Sequence, residues 1–183
     1  HPNVWSFQYT FKGCKALTRL PAGLFDKNTV VTDFNACFRG CAKLESLPIG
    51  LFDKNIKADR FPDCFASCSS LKELPEGLFA KNMEAYEFSS CFSGCTTLKL
   101  NKFIFGSAGS GQEDTNRFIG VTAQMNFKSC FFNVGKNLNN GEGEAPALWS
   151  YAGAETWTTT NCFTGATKLS NCGEIPTAWG GEK

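Results

Sequence analysis

The stretch VTDFNACFRGCAKLESLPIGLFDKN, residues 31–55, recurs along the chain and decides its fold. The next copy, residues 58–82, reads ADRFPDCFASCSSLKELPEGLFAKN, and an earlier copy ends in FKGCKALTRLPAGLFDKN at residues 11–28. The L-P-x-G-L-F segment recurs with a period of 27 residues, beginning at Leu20, Leu47 and Leu74. A fixed period of roughly 20 to 50 residues is typical of stacked units, none of which buries its apolar side alone.

Comparison of the copies separates repeated positions from variable ones. The repeated positions carry phenylalanine, cysteine, leucine, proline and glycine, and in the second copy they are Phe34, Cys37, Phe38, Cys41, Leu44, Leu47, Pro48, Gly50, Leu51 and Phe52. The first four lie at i, i+3, i+4 and i+7, a spacing that predicts one face of a short helix. Gly40 suits the left-handed residue that ends such a helix.

The second half of the unit carries signals for a strand and a turn. Residues 44–47 are the predicted strand, which ends at Pro48 because proline cannot donate a hydrogen bond inside a sheet. Proline can open a helical turn, so P-x-G-L-F predicts a second short turn. Asparagine tolerates positive φ, and it is predicted to end that turn at Asn28, Asn55 and Asn82.

The pattern F-x-x-C-F-x-G-C-x-x-L-x-x-L-P resembles the BspA-like leucine-rich repeats of bacterial cell-surface proteins. The resemblance covers residues 7–98 and differs by a few extra residues at 51–55. It implies an α/β leucine-rich-repeat solenoid of about six coils, each a short strand plus short helical turns, with irregular last coils. The function implied is a non-catalytic binding or adhesion domain at the bacterial cell surface, outside the cell.

The chain divides into a regular part, residues 1–100, and a degenerate part, residues 101–183. The second part contains two polar loops at 106–116 and 136–144, for which a tolerated insertion and a binding loop are the two interpretations. The register returns at Phe127, Cys130 and Phe131, and again in a sixth copy at residues 160–172. These returns favour one continuous stack with a C-terminal capping region over a separate small domain.

Charge and hydropathy exclude several function classes. The 18 basic and 17 acidic residues give a formal net charge of +1, which does not indicate a nucleic-acid-binding protein. No apolar stretch approaches the roughly 20 residues of a membrane helix, so we expect no membrane insertion of this segment. The single histidine, His1, stands at the terminus, and no catalytic constellation is present. We therefore expect no enzyme activity and no cofactor.

The ten cysteines permit three interpretations. The C-x3-C pairs fall within the spacing of zinc ligands, but no histidines accompany them, so no metal is expected. Disulfides between coils are a second interpretation, because stacked strands lie roughly 4.8 Å apart. A ladder of buried, reduced thiols packing as small hydrophobic groups is preferred over both.

The variable positions around the predicted strand indicate where a ligand would bind. Side chains of successive strands line up on one face of such repeat proteins, so Arg19, Glu45, Lys72 and Lys99 are predicted to form a charged strip. A binding face for a host or bacterial surface macromolecule, protein or glycan, is one interpretation. A solvated surface, on a structural spacer that displays another domain of a longer protein, is the other.

Overall fold

The computed structural model describes residues 3–106 and 117–182. Parallel backbone bridges connect the copies in a row, through Ser6, Asp33, Arg60, Glu87, Asn126 and Thr158. The flanking hydrogen bonds alternate in direction: the Phe34 N–H donates to the Arg60 carbonyl at 2.9 Å, and the Asp59 N–H donates to the Thr32 carbonyl at 3.0 Å. The copies are therefore stacked side by side through their backbones.

Between Phe34 and Cys41 the backbone alternates between two kinds of hydrogen bond. The N–H groups of Phe34, Ala36, Phe38 and Gly40 donate to carbonyls of the next copy, at 2.8–2.9 Å. The N–H groups of Cys37, Arg39 and Cys41 instead donate to the carbonyl three residues earlier, at 3.0–3.2 Å. Every second N–H is thus used for stacking, and the remainder close tight turns.

The predicted helix over Phe34, Cys37, Phe38 and Cys41 is therefore wrong. An α-helix would direct each N–H to the carbonyl four residues back, whereas half of these N–H groups bond to the neighbouring copy. Ala36 also has φ 51°, which a right-handed helix excludes. Gly40 has φ 73°, and in the next copy Asp63 and Ser67 occupy the same two positive-φ positions.

The predicted strand at residues 44–47 is reduced to one hydrogen bond per copy. Glu45 donates its N–H to Thr18, Lys72 to Glu45 and Lys99 to Lys72, at 2.8–3.1 Å. In the described residues the only bridge on this side joins Glu73 to Lys99, while the longer row of bridges lies about ten residues earlier in the unit. The P-x-G-L-F turn contains Gly50 at φ 71° and a bond from the Asp53 N–H to the Gly50 carbonyl, and it is a tight turn without a helix.

Three columns of phenylalanine rings fill the interior. Neighbouring rings within a column are nearly parallel, with centroids 4.9–6.0 Å apart. The first column is Phe7, Phe34, Phe61, Phe88 and Phe127; the second is Phe11, Phe38, Phe65, Phe92, Phe131 and Phe163; the third is Phe25, Phe52, Phe79 and Phe105. Stacked and edge-to-face ring pairs contribute about 0.5–1.5 kcal/mol each beyond their buried area, so these columns stabilise every interface between copies.

The last copies carry the four helices found in the described residues, all of them short 3-10 helices. They span Leu148–Ser150, Ala154–Thr156, Cys172–Glu174 and Thr177–Trp179. Trp149 and Trp179 contact Phe163, the last ring of the second column, with centroids at 6.0 and 6.5 Å. No described helix has the length and apolar character needed to cross a bilayer. The predicted polar loop at 106–116 lies outside the described residues, apart from Gly106.

Candidate binding surface

The structure places the four predicted strip residues on the surface, but in two different rows. Thr18, Glu45, Lys72 and Lys99 are connected by successive backbone hydrogen bonds and occupy equivalent positions. Arg19 lies one residue further on, in the row of Ser46. Its prediction as a member of the strip was wrong by one position, because the register was fixed by the charge pattern and not by the leucine spacing.

Charges along this row are paired with acidic neighbours. The Lys72 Nζ lies 2.7 Å from the Glu45 Oε2, and the Lys99 Nζ lies 2.8 Å from the Glu142 Oε1. The hydrogen bond and charge of Lys72 lower the pKa of Glu45, and those of Glu142 raise the pKa of Lys99. The row Thr18, Glu45, Lys72 and Lys99, called the strip below, is thus an exposed surface of alternating, mutually compensated charge.

The asparagines of the unit do work that the sequence did not reveal. The Asn55 amide donates to the carbonyls of Phe25 and Asn28, at 3.2 and 2.9 Å. Asn82 repeats this one copy later, with bonds to Phe52 and Asn55 at 3.4 and 2.9 Å. Both asparagines are completely buried, and neither has the positive φ that was predicted. Their period of 27 residues was the available signal for a buried ladder of side-chain amides.

Arg117 continues this ladder after the repeat becomes irregular. Its guanidinium donates to the carbonyls of Phe79 and Asn82, the same two positions that each asparagine uses in the copy before. A further bond reaches the Met83 carbonyl at 3.2 Å, and the side chain is only 2% exposed. A buried arginine fits here because its several N–H groups satisfy backbone acceptors that would otherwise be buried without partners.

The ten cysteines are free thiols, and eight of them are buried. In three consecutive copies the second cysteine donates its thiol to a phenylalanine carbonyl of the preceding copy, as Cys68 does to Phe38 at 3.3 Å. Burial is the main cause that raises the pKa of these thiols, to about 11 for Cys41. A thiol with a raised pKa is a poor nucleophile at neutral pH, so the ladder packs and donates hydrogen bonds.

An insertion interrupts the stack after Arg117. Five positions separate Asn82 from its bridged residue Glu87, whereas nine separate Arg117 from the equivalent Asn126. The four extra residues lie within the segment 119–123, which forms one wall of two depressions of about 480 and 530 Å³.

The first depression, called the cleft below, combines apolar and acidic side chains. Its opposite wall consists of Asp59, Met83, Glu84 and Tyr86. Met83 and Ile119 are 52% and 64% exposed, although both are large apolar residues. The Asp59 Oδ1 is buried and accepts no hydrogen bond from the described residues, and burial raises the pKa of this carboxyl.

The described residues contain no group of three or more histidine, cysteine, aspartate or glutamate side chains arranged to hold a metal ion. We found no match to this chain among protein-family models or among curated proteins. The geometry of the stack, the strip and the cleft therefore carries the functional argument.

Proposed function

We propose that this chain is a non-catalytic leucine-rich-repeat domain of the BspA-like kind, which binds macromolecules at the surface of a bacterial cell. Its partners are proteins or glycans of a host or of a neighbouring bacterium, and they contact the strip. The domain works outside the cell without a cofactor.

One observation carries the proposal: the unit divides sharply into repeated buried positions and varied exposed ones. Phenylalanine, cysteine and asparagine recur because they form the columns and ladders described above. The exposed row changes from threonine to glutamate to lysine while the backbone bonds beneath it stay the same. A rigid stack can thus present different side chains at a fixed spacing of roughly 5 Å, which is what an extended recognition surface requires.

The experiment compares two pairs of charge reversals. Lys72→Glu with Lys99→Glu changes the strip, and Lys27→Glu with Lys54→Glu changes exposed turns outside it. Both pairs alter net charge equally, so long-range steering is matched. Binding to an array of cell-surface and matrix proteins and glycans is expected to fall for the strip pair alone. Equal loss for both pairs, or none for either, contradicts the strip as the site.

A structural spacer is the second candidate, and the ion pairs favour it. Glu45 with Lys72 and Lys99 with Glu142 compensate each other, so the strip has little free charge to offer a partner. Exposed pairs of this kind contribute only about 0–1 kcal/mol to stability and keep a surface soluble. A spacer predicts no ligand in the array for the unmodified chain.

A further inference from the structure

The cleft is formed where the chain departs from its own repeat. Across residues 28–87 the segment between the asparagine ladder and the bridged residue has constant length, and it turns without leaving a depression on that side. After Arg117 the longer segment 119–123 adds a wall to the cleft. Insertions of this kind map to one face of a repeat protein, which is often the binding face.

The chemistry of the cleft matches one kind of ligand. Its described lining includes two carboxylates, Asp59 and Glu84, and no basic side chain. The nearest arginine, Arg60, is held outside the lining by the Tyr86 hydroxyl at 3.4 Å and by Asp33 at 3.7 Å. Met83, Ile119 and Val121 supply apolar surface beside these carboxylates. An occupant therefore needs an aliphatic stem and a cationic end.

We propose that the cleft receives a lysine or arginine side chain of a partner protein. The methylene groups lie against Met83, Ile119 and Val121, because long cationic side chains bury their stems on apolar surface. The cationic group donates to Asp59, whose Oδ1 accepts no hydrogen bond from the described residues, and lies near Glu84. The volume of about 480 Å³ lies within the range of about 300–1,000 Å³ common for ligand clefts. This site is separate from the strip and does not depend on the proposed adhesion function.

The test uses short capped peptides and NMR of the full chain with labelled methyl groups. Each peptide carries one central lysine, arginine, norleucine or glutamine between glycines. We expect saturable shifts at the Met83 and Ile119 methyls for the lysine and arginine peptides only. The affinity of the better cationic peptide is expected to fall at least tenfold in Asp59→Asn with Glu84→Gln, and at least threefold in Ile119→Ser.

A matched control and the unfolding curve keep the outcomes distinct. Asp26→Asn with Asp53→Gln removes the same charge from turns far from the cleft, and it should leave the affinity unchanged. Each variant is first shown to unfold at a denaturant midpoint close to that of the parent. The proposal is overturned if no cationic peptide saturates, if norleucine shifts the same methyls equally, or if the control pair lowers affinity as much as the cleft pair.

Discussion

Replacement of Phe65 by alanine tests whether the ring columns hold the copies together. The Phe65 side chain is fully buried, and its ring lies 5.4 Å from Phe38 and 5.5 Å from Phe92. Loss of its burial costs about 1.5–3 kcal/mol, and loss of two stacked contacts costs about 0.5–1.5 kcal/mol each. We therefore expect the free energy of unfolding to fall by about 4 kcal/mol, within the range of about 3–5 kcal/mol measured for buried Phe→Ala changes.

Phe11 provides the matched control in the same column. It is half-buried and has one stacked neighbour, Phe38, at 5.2 Å. Its replacement by alanine should cost about 2 kcal/mol, since less area and one fewer contact are lost. Urea unfolding followed by tryptophan fluorescence measures both values, provided the slope against denaturant stays constant. A cost below about 1 kcal/mol for Phe65, or equal costs for both, would refute the reasoning.

Three other perturbations test the ladders and the cleft. Asn55→Ala removes two amide hydrogen bonds and leaves two buried carbonyls without them, so urea unfolding should show a loss of about 2–3 kcal/mol; a loss below about 0.5 kcal/mol contradicts the asparagine ladder. In thiol titration at pH 8 without reductant, exposed Cys14 should react first and half-buried Cys172 more slowly, while unfolding should release all ten thiols; a total near zero would mean disulfides. Burial raises the pKa of Asp59, so the folded protein loses stability as pH rises through that value. Asp59→Asn should therefore unfold at a higher temperature than the parent at pH 7, with the difference shrinking below the ordinary aspartate pKa of about 3.9; the opposite trend contradicts the assignment.

The repeat could be predicted from the sequence because each buried position recurs at the same spacing. Phe38 and Phe65 contact each other directly, as a period of 27 residues requires of stacked units. The local conformation could not be predicted in this way. The spacing of Phe34, Cys37, Phe38 and Cys41 fits one side of a helix, but it also fits a chain of tight turns whose alternate N–H groups bond to the next copy. Periodicity reports which side chains face inward, and backbone hydrogen bonds between copies are invisible to it.

The candidate sites were predicted less well than the core. Exposed charge variation pointed to Glu45, Lys72 and Lys99, and these do lie in one row, whereas Arg19 does not. The cleft left no sequence pattern, because it depends on the extra length between Arg117 and Asn126 and not on a repeated residue. Arg117 itself gave no signal, since a surface arginine and one that replaces a ladder asparagine look alike in sequence.

The direction of the hydrogen bonds in the turns makes the two ends of the stack chemically different. From Phe34 to Gly40, and at the equivalent positions of the other copies, the stacking N–H groups all point toward the later copy. The carbonyls of Gln8, Thr10 and Lys12, which stand where later copies accept these bonds, accept none from the described residues, whereas the Phe163 N–H is met by the Trp179 carbonyl. Aligned peptide groups add their dipoles, as in a helix, so the first copy forms a negative pole. Two chains that met through their first copies would oppose acceptor with acceptor, and this polarity disfavours a symmetric end-to-end dimer.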